Sequence, residues 1–352
     1  MSIPRNGGQI FTYQVYGLTL ASNQSLPGLL ACDNDMSVDI WVDLKDAPES
    51  DSAIGRVPFH PQGPANFDSQ IEKRSRADGS SYFNFWYRGN EYMEPIDLQL
   101  EADGSRISSP NWTNSIIEDV TVLLLGSVLK LALRLQGKVC LHGCVLAVGE
   151  QAIAILGDSG AGKSTTAAAL AGQGYPILSD DVALLTESSD HFLVHPGYPR
   201  LRLWPESVNA LYGSEEGLAR VLRLSEKRFI DLTYSSDEPV ANQSPWQFQK
   251  EPLPLAAIYV LGERQPGLAA PVIESIPPAM AVVTLMKQRS ATFLKLDTDK
   301  QAQEFVALSQ VAKRVPLRNV TRRDSLDALP QLCDAITADA ARITKSEKCT
   351  HE

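Results

Sequence analysis

A phosphate-binding motif is the feature of this sequence that most restricts its fold. Residues 157–164 read Gly-Asp-Ser-Gly-Ala-Gly-Lys-Ser, which matches the pattern G-x-x-x-x-G-K-[ST] in full. The motif follows an apolar run over 152–156 and precedes an alanine-rich helical pattern over 165–170. A strand before the loop and a helix after it are the context in which this motif binds phosphate. The sequence therefore predicts an α/β fold with a nucleotide site, rather than a glycine turn without a ligand.

Each part of the loop has a chemical task in such a site. Glycines let backbone N–H groups turn toward a polyphosphate, and the following helix adds the positive end of its dipole. Lys163 reaches the β- and γ-phosphates, and the Ser164 hydroxyl binds Mg²⁺. The residues expected to contact the nucleotide are Gly157, Asp158, Ser159, Gly160, Ala161, Gly162, Lys163, Ser164 and Thr165.

Two adjacent carboxylates follow the loop in sequence. Asp180 and Asp181 come after a short apolar run, 17 and 18 residues beyond Lys163. A carboxylate at the end of a strand beside a phosphate loop completes Mg²⁺ coordination in nucleotide kinases, and a second carboxylate accepts the proton of an attacking hydroxyl. The alternative is a solvated Asp-Asp turn, but the upstream loop favours the functional interpretation.

Composition and charge limit the class of protein. The 352 residues are 43% hydrophobic and 21% charged, as in globular proteins. The net charge of −10 argues against a general nucleic-acid binder or a binder of anionic membranes. Residues 1–8 are polar and the apolar stretch 116–135 carries four charges, so we predict no signal peptide and no membrane span. We expect a soluble, cytoplasmic protein.

The first part of the chain has the pattern of short strands. We predict strands over 9–20, 38–44 and 81–87, a turn at 61–64, and a hairpin over 95–107 that turns at Asp103-Gly104. A long helix over 113–136, ended by Gly137, leads into the second part. No catalytic group of residues is evident before residue 110, so we expect a structural or substrate-docking role for this region.

The second part alternates strands and helices around the loop. We predict that strands 139–148 and 152–156 form a hairpin that leads into the loop. Further strands are expected over 175–178, 182–186, 192–194 and 254–261, and helices over 278–289, 300–313 and 325–343. Residues 234–253 are polar and interrupted by proline, which is typical of a mobile loop near a site.

His142 is the third candidate for chemistry. It lies on the predicted hairpin between Cys140 and Cys144, but no further cluster of metal ligands follows. We expect the cysteines to be small buried residues rather than metal ligands. A lone histidine is more often a structural residue than a catalytic one, so its role depends on what surrounds it.

The order of these features resembles a known family. His142-Gly143, the loop at 157–164 and Leu178-Ser179-Asp180-Asp181 occur with the same order and spacing in the catalytic domain of HPr kinase/phosphorylase, and G-D-S-G-x-G-K-S is that family's loop. Those bacterial enzymes use ATP and Mg²⁺ to phosphorylate a serine of the carrier protein HPr. Their fold, related to phosphoenolpyruvate carboxykinase, places the loop after a β-hairpin. The match is specific over 139–185.

The resemblance implies a role for each matched residue. Lys163 and Ser164 would bind phosphates and Mg²⁺, Asp180 would lie on the metal side, and Asp181 would be the base, although the two aspartates could exchange roles. His142 would lie beside the base and the transferred phosphoryl group, as a catalytic residue. The implied organisation is a β-rich domain over 1–110, a catalytic domain over 111–345 and a frayed tail over 346–352. A homo-oligomer is conceivable because the HPr enzymes are hexamers.

Two departures indicate an acceptor other than HPr. Thr165 follows Ser164 where the family usually has glutamate, and residues 196–205 replace the family's downstream Glu-Arg-Gly-type signature. Together with residues 13–18 and 25–29, this pattern resembles the HPr kinase-like proteins encoded beside lasso-peptide biosynthesis genes, which phosphorylate a serine of a precursor peptide. We therefore expect ATP-dependent phosphorylation of a serine in a peptide or small protein.

Other hypotheses stay open at this point. The acceptor could be free serine or another hydroxylated metabolite, or HPr itself, and the chain could instead be a nucleotide-switched ATPase or a scaffold without chemistry. Four basic residues are candidates to contact the transferred phosphoryl group, against the simpler interpretation of solvated charges. They are Arg200, Arg202, Lys227 and Arg228.

Overall fold

The computed structural model describes residues 9–33, 37–44, 52–58, 68–88, 95–109, 117–232 and 246–350, with backbone alone at 52–58, 68–69 and 345–350. The predicted turn at 61–64, helix residues 113–116 and loop residues 234–245 lie outside these ranges. The fold is mixed α/β. Contacts divide it into two compact units. The first comprises Met1–Lys138, Arg220–Lys227 and Ala291–Lys300, and the second comprises Val139–Ala219, Arg228–Ser290 and Gln301–Glu352.

A single sheet dominates the first unit. Within the described residues it has nine strands, in the order β3-β1-β2-β4-β9-β8-β7-β6-β5. Two of its pairings, β2 with β4 and β4 with β9, are parallel, and the others are antiparallel. The strands are β1 (Phe11–Val15), β2 (Leu18–Ser22), β3 (Leu30–Ala31), β4 (Ile40–Asp43), β5 (Ser52–Pro58), β6 (Asp68–Ser75), β7 (Ser81–Arg88), β8 (Ile96–Glu101) and β9 (Arg106–Ser108).

One turn of this sheet was predicted correctly and another was missed. The hairpin at 95–107 is confirmed, because β8 and β9 pair antiparallel and Gly104 adopts φ +77° in the turn between them. The single strand predicted over 9–20 is wrong, because the chain reverses at Tyr16-Gly17 and β1 pairs with β2. Both turn residues have positive φ. Tyrosine rarely adopts this conformation, so the residue types at 16–17 did not predict a turn.

The predicted long helix is present but interrupted. It consists of α1 (Ile117–Leu123), a π-helical turn over Leu124–Val128 and α2 (Leu129–Leu135). Gly126 has φ −77° and ψ −107°, which breaks the regular helix at this point. All of its leucine and valine side chains are buried in the protein, which accounts for the apolar sequence of this segment. None of the helices in the described residues combines the length and hydrophobicity that a membrane span requires.

The second unit contains the phosphate loop. Its strands are β10 (Val139–Leu141), β11 (Gly143–Val148), β12 (Gln151–Gly157), β13 (Ile177–Ser179), β14 (Ala183–Glu187), β15 (Phe192–His195), β16 (Arg200–Leu203), β17 (Arg228–Asp231), β18 (Leu253–Arg264), β19 (Val272–Ser275) and β20 (Leu317–Arg322). Among the described residues the main sheet runs β10-β14-β15-β18-β12-β11-β13, and β20 and β19 extend it beyond β18. β16 and β17 form a separate pair.

Helices cover both faces of this sheet. They are α3 (Lys163–Gly172), α4 (Pro205–Leu211), α5 (Pro278–Lys287), α6 (Thr298–Arg314) and α7 (Leu329–Thr350). Ile258 and Val260 of β18 share a core cluster with side chains of α5 and α6, whereas Tyr259 between them faces α7 and donates a hydrogen bond to Asp339. This alternation along a strand buried on both sides is typical of a parallel α/β core.

One strand and one helix of the second unit end at residues other than those predicted. The strand predicted over 139–148 is broken at His142, because β10 pairs with β14 whereas β11 pairs with β12 and β13. The backbone of α7 stays helical to Thr350, where we expected a frayed tail from residue 346. The sequence did not predict this break, because the residues before and after His142 are apolar and buried, as in one continuous strand.

Candidate functional site

Two neighbouring connections between strands form the candidate site. The chain passes from β10 to β11 through His142, and from β13 to β14 through residues 180–182. Because β10 pairs with β14 and β11 with β13, the two connections lie side by side. The histidine and the acidic pair, 38 and more residues apart in sequence, therefore meet where both connections cross between the two strand pairs.

Asp181 is oriented by two side chains. Its Oδ1 and its main-chain oxygen each lie 3.1 Å from Nδ1 of His142. Its Oδ2 lies 3.4 Å from Nη1 of Arg202, whose Nη2 donates to the hydroxyl of Tyr198. Burial raises the pKa of Tyr198 to about 12, so this hydroxyl remains protonated. The side chains of Asp181 and His142 are each 18% exposed, so the carboxylate is held in place and still reaches solvent.

Asp180 faces the phosphate loop instead. Its Oδ1 accepts hydrogen bonds from Oγ of Ser164 at 2.9 Å and from the thiol of Cys144 at 3.0 Å, and its Oδ2 accepts from the main-chain N–H of Arg202 at 3.0 Å. Asp180 is only 4% exposed. Asp181 adopts φ +76°, in the left-handed region. The backbone turns at this residue, and the two consecutive carboxylates face different partners.

The loop itself depends on backbone conformations that glycine allows. Gly157 has φ +147°, and a Cβ at this position would lie 3.0 Å from the carbonyl oxygen of Leu261. Gly162 has φ +91° and immediately precedes α3. Thr165 in the first turn of α3 lies with its hydroxyl 3.0 Å from the Ser207 hydroxyl, so it joins α3 to α4.

Lys163 and Gln288 hold the beginning of the loop. Lys163 is buried, and its Nζ donates to the carbonyls of Gly157 at 2.8 Å and Asp158 at 3.0 Å. The Gln288 side chain accepts from the N–H of Gly157 and donates to the Asp158 carboxylate, both at 3.2 Å. The carbonyl of Gln288 also accepts from the N–H of His142 at 2.7 Å. One residue after α5 therefore ties the loop to the histidine.

Two arginines contact the middle of the loop. Nη2 of Arg264 donates to the carbonyl of Gly160 at 2.6 Å, and Nη2 of Arg322 donates to the carbonyl of Ala161. In the part of the chain that the structure describes, the N–H groups of Gly160 and Gly162 donate to no protein acceptor. The loop therefore has carbonyls bonded to cations and N–H groups available to an anion, which is the arrangement of an anion-binding nest.

The oxygens of Ser164 and Asp180 suit Mg²⁺. Mg²⁺ binds through one or two protein oxygens and takes its remaining ligands from phosphates and water. Burial and the charge of Asp180 raise the pKa of the Cys144 thiol well above its usual value, so the thiol acts here as a hydrogen-bond donor and not as a soft metal ligand. No group of three or more His, Cys, Asp or Glu side chains among the described residues could hold a metal. The donor set fits a metal that arrives with phosphates.

The four predicted basic residues occupy different places. Arg202 contacts the acidic pair. Nε of Arg200 lies 2.6 Å from a carboxylate oxygen of Asp231 on the paired strand β17. Nη2 of Arg228 lies 2.8 Å from Oε2 of Glu215, in the segment after α4. Lys227 belongs to the first unit, where its main-chain oxygen accepts from the N–H of Val221.

Several contacts of the site were missed by the sequence analysis. Cys144 was predicted only as a buried residue and Arg322 only as a weaker candidate to contact the transferred phosphoryl group, whereas Gln288 and Arg264 were not predicted at the site. No local motif marks them, because each reaches the loop or Asp180 from a distant part of the chain. The only available signal was position, since Arg264 and Arg322 end strands parallel to the strand that leads into the loop.

Comparisons with known proteins show a similarity at the level of solved structures. No family model matches the sequence, and no curated protein matches it. Among solved structures, the HPr(Ser) kinase/phosphatase from Coxiella burnetii is similar to this chain, with 10% sequence identity and a TM-score of 0.31. The similarity covers 60% of this chain and 96% of that chain.

Proposed function

We propose that this protein is an ATP-dependent kinase that transfers the γ-phosphoryl group of ATP to a serine hydroxyl of a peptide or small protein. One observation carries the proposal. Two consecutive carboxylates face different partners, Asp180 the Ser164 hydroxyl of the phosphate loop and Asp181 the imidazole of His142. A hydroxyl-directed kinase needs one carboxylate on the metal side of the phosphates and another toward the acceptor.

The contacts of the two aspartates favour one assignment of their roles. Asp180 already accepts three hydrogen bonds and is nearly inaccessible, so it suits a fixed place beside the metal. Asp181 is more exposed and can meet an incoming hydroxyl. His142 and Arg202 hold its carboxylate in one orientation. We therefore assign Asp181 as the base and Asp180, with Ser164, as the metal-side ligands.

The proposed transfer follows from these positions. The serine oxygen forms a bond to the γ-phosphorus while the bond from that phosphorus to the β–γ bridging oxygen breaks, and ADP leaves. The Asp181 carboxylate takes the serine proton. Lys163 and the N–H groups of the loop bind the phosphates, and Arg202 adds positive charge beside the transferred group. Mg²⁺, when bound, would supply further neutralisation of the phosphate charge.

Replacing Asp181 by Asn tests the assignment of the base. Asp181→Asn keeps the shape but removes most of the basicity, so we expect transfer to fall by about 10² to 10⁴-fold while ATP affinity stays close to wild type. Transfer is measured with γ-labelled ATP and affinity by calorimetric titration. The matched control is Asp190→Asn, because Asp190 also lies beside a histidine, 2.6 Å from Nδ1 of His191, on an exposed turn. Transfer by Asp181→Asn at the wild-type rate would refute the assignment.

A panel of acceptors tests the substrate class. Serine-containing peptides, among them lasso-peptide precursors, would be compared with free L-serine and with HPr under the same ATP and Mg²⁺ conditions. The resemblance of Thr165 and residues 196–205 to the lasso-associated proteins supports the peptide acceptor. Phosphorylation of free serine alone would favour a metabolite kinase, and ATP turnover without any phosphorylated acceptor would favour a regulatory ATPase.

A further inference from the structure

Arg264 and Arg322 occupy an unusual pair of positions. They are the last residues of the parallel strands β18 and β20, and they are register partners in that pairing. Like charges placed opposite each other on neighbouring strands are destabilising. Arg264 is partly compensated by Asp324, whose carboxylate lies 2.9 Å from its Nη1. The pair as a whole carries more positive charge than the fold around it neutralises.

Arg322 is the buried member of the pair and contributes most to the excess of positive charge. It is 6% exposed, and its guanidinium donates to two main-chain carbonyls, those of Gly262 at 3.0 Å and of Ala161. Among the described residues, no carboxylate lies within ion-pair distance of it. Burial and the neighbouring Arg264 lower the pKa of Arg322 to about 10, so it still carries a charge at neutral pH. The nearby carboxylate of Asp324 pairs with Arg264 and not with Arg322, and a buried cation without an ion-pair partner of its own is costly to a fold.

The contacts of both arginines lead to the same part of the loop. Arg264 bonds the carbonyl of Gly160, and Arg322 bonds the carbonyl of Ala161. The carbonyl of Ala161 and the N–H of Gly162 belong to one peptide group, so a cation on the oxygen polarises the N–H as a donor. It also fixes the plane of that peptide, which keeps the carbonyl away from a bound anion.

We propose that Arg322, assisted by Arg264, is a positioning residue for polyphosphate binding. It holds the carbonyl side of the loop outward and thereby keeps the Gly162 N–H directed at the phosphates, and its charge is balanced when the nucleotide is bound. This inference rests on the proposed function, because it requires that the loop binds a nucleotide. It adds the C-terminal strand β20, which no sequence motif connects to the loop, to the binding apparatus.

Nucleotide affinity and stability, measured on the same variants, test this role. Arg322→Met keeps the length of the side chain without charge or donors, and we expect ATP affinity to fall about tenfold or more because a charge-assisted hydrogen bond is lost. Arg322→Lys retains the charge and should recover most of that loss. The matched control is Arg318→Met on the same strand, since Arg318 pairs with Asp339 and Ser275 and not with the loop.

Thermal unfolding without nucleotide separates positioning from a structural role. We expect Arg322→Met to lower the unfolding midpoint only slightly, because removal of a buried cation offsets the loss of its two hydrogen bonds to carbonyls. Arg318→Met should lower the midpoint and leave ATP affinity within about twofold. The inference is overturned if Arg322→Met binds ATP as wild type does, or if its loss of affinity accompanies an equally large loss of stability. Failure of the wild-type protein to bind ATP would instead refute the proposed function.

Discussion

Gly143→Ala is the substitution for which the structure predicts the clearest damage to the framework of the site. Gly143 follows His142 and pairs with Leu156 of β12, one residue before the phosphate loop. A Cβ on Gly143 would lie 2.4 Å from Cδ2 of Leu156 and 2.5 Å from the carbonyl oxygen of Ile155. The leucine methyl group can move aside, but the carbonyl belongs to the backbone of the paired strand.

The size of the effect follows from that carbonyl contact. A carbon and a carbonyl oxygen approach no closer than about 3.3 Å without strain, so the strands must separate by roughly 0.8 Å. Inserting a methyl group into packed structure costs ~1–3 kcal/mol, and the stiffer unfolded chain returns up to ~1 kcal/mol. We therefore expect a net loss of about 1.5 kcal/mol, which for a unit of about 200 residues lowers the unfolding midpoint by about 3–6 °C.

Activity should fall more than stability alone explains. The displaced strand β12 leads into the loop, while His142 stays attached to Gln288 through its N–H. A misplacement approaching 1 Å between reacting groups costs on the order of 100-fold in rate. Phosphoryl transfer measured well below the unfolding midpoint should therefore be reduced by about 10- to 100-fold.

Circular dichroism thermal scans and transfer assays on Gly143→Ala and a second alanine variant provide the test. The control is Gly172→Ala at the end of α3, where a Cβ would lie 3.9 Å from its nearest neighbour and where alanine favours helix over glycine. Gly172→Ala should keep or raise the midpoint. A Gly143→Ala protein with the wild-type midpoint and wild-type activity would refute the steric reasoning.

Further predictions concern the loop lysine and a buried thiol. Lys163→Met removes two charge-assisted hydrogen bonds and the charge nearest the loop carbonyls, so ATP affinity in calorimetric titrations should drop by about 10- to 100-fold, whereas the exposed Lys287→Met should change it little. Equal affinities of the two variants would contradict the role of Lys163. Burial raises the pKa of Cys333 from 9.0 to about 12, so its contribution to stability is fully present below pH 9 and is lost as the pH rises toward 12. Urea unfolding at several alkaline pH values should show a smaller decline for Cys333→Ala than for wild type, and parallel declines would speak against this assignment.

The candidate site was predictable in its residue types but not in its contacts. The loop at 157–164 and the acidic pair are local patterns, because phosphate binding needs glycine, lysine and serine at fixed spacings. The break at His142 was not predicted, since the apolar residues on both sides of it are typical of one continuous strand. The same holds for the reversal at Tyr16-Gly17, where tyrosine takes a conformation that its residue type disfavours.

Sequence alone therefore determined which candidate groups the chain contains: a phosphate-loop motif between a strand and a helix, two adjacent carboxylates and a histidine at a fixed distance before the motif. Tertiary structure decided how these groups face each other. Pairing of β10 with β14 and of β11 with β13 brings His142 to Asp181, while Gln288, Arg264 and Arg322 reach the loop from positions more than 100 residues away. The physical reason is that residue spacing fixes local conformation, whereas strand order in a sheet brings together residues that no local pattern relates.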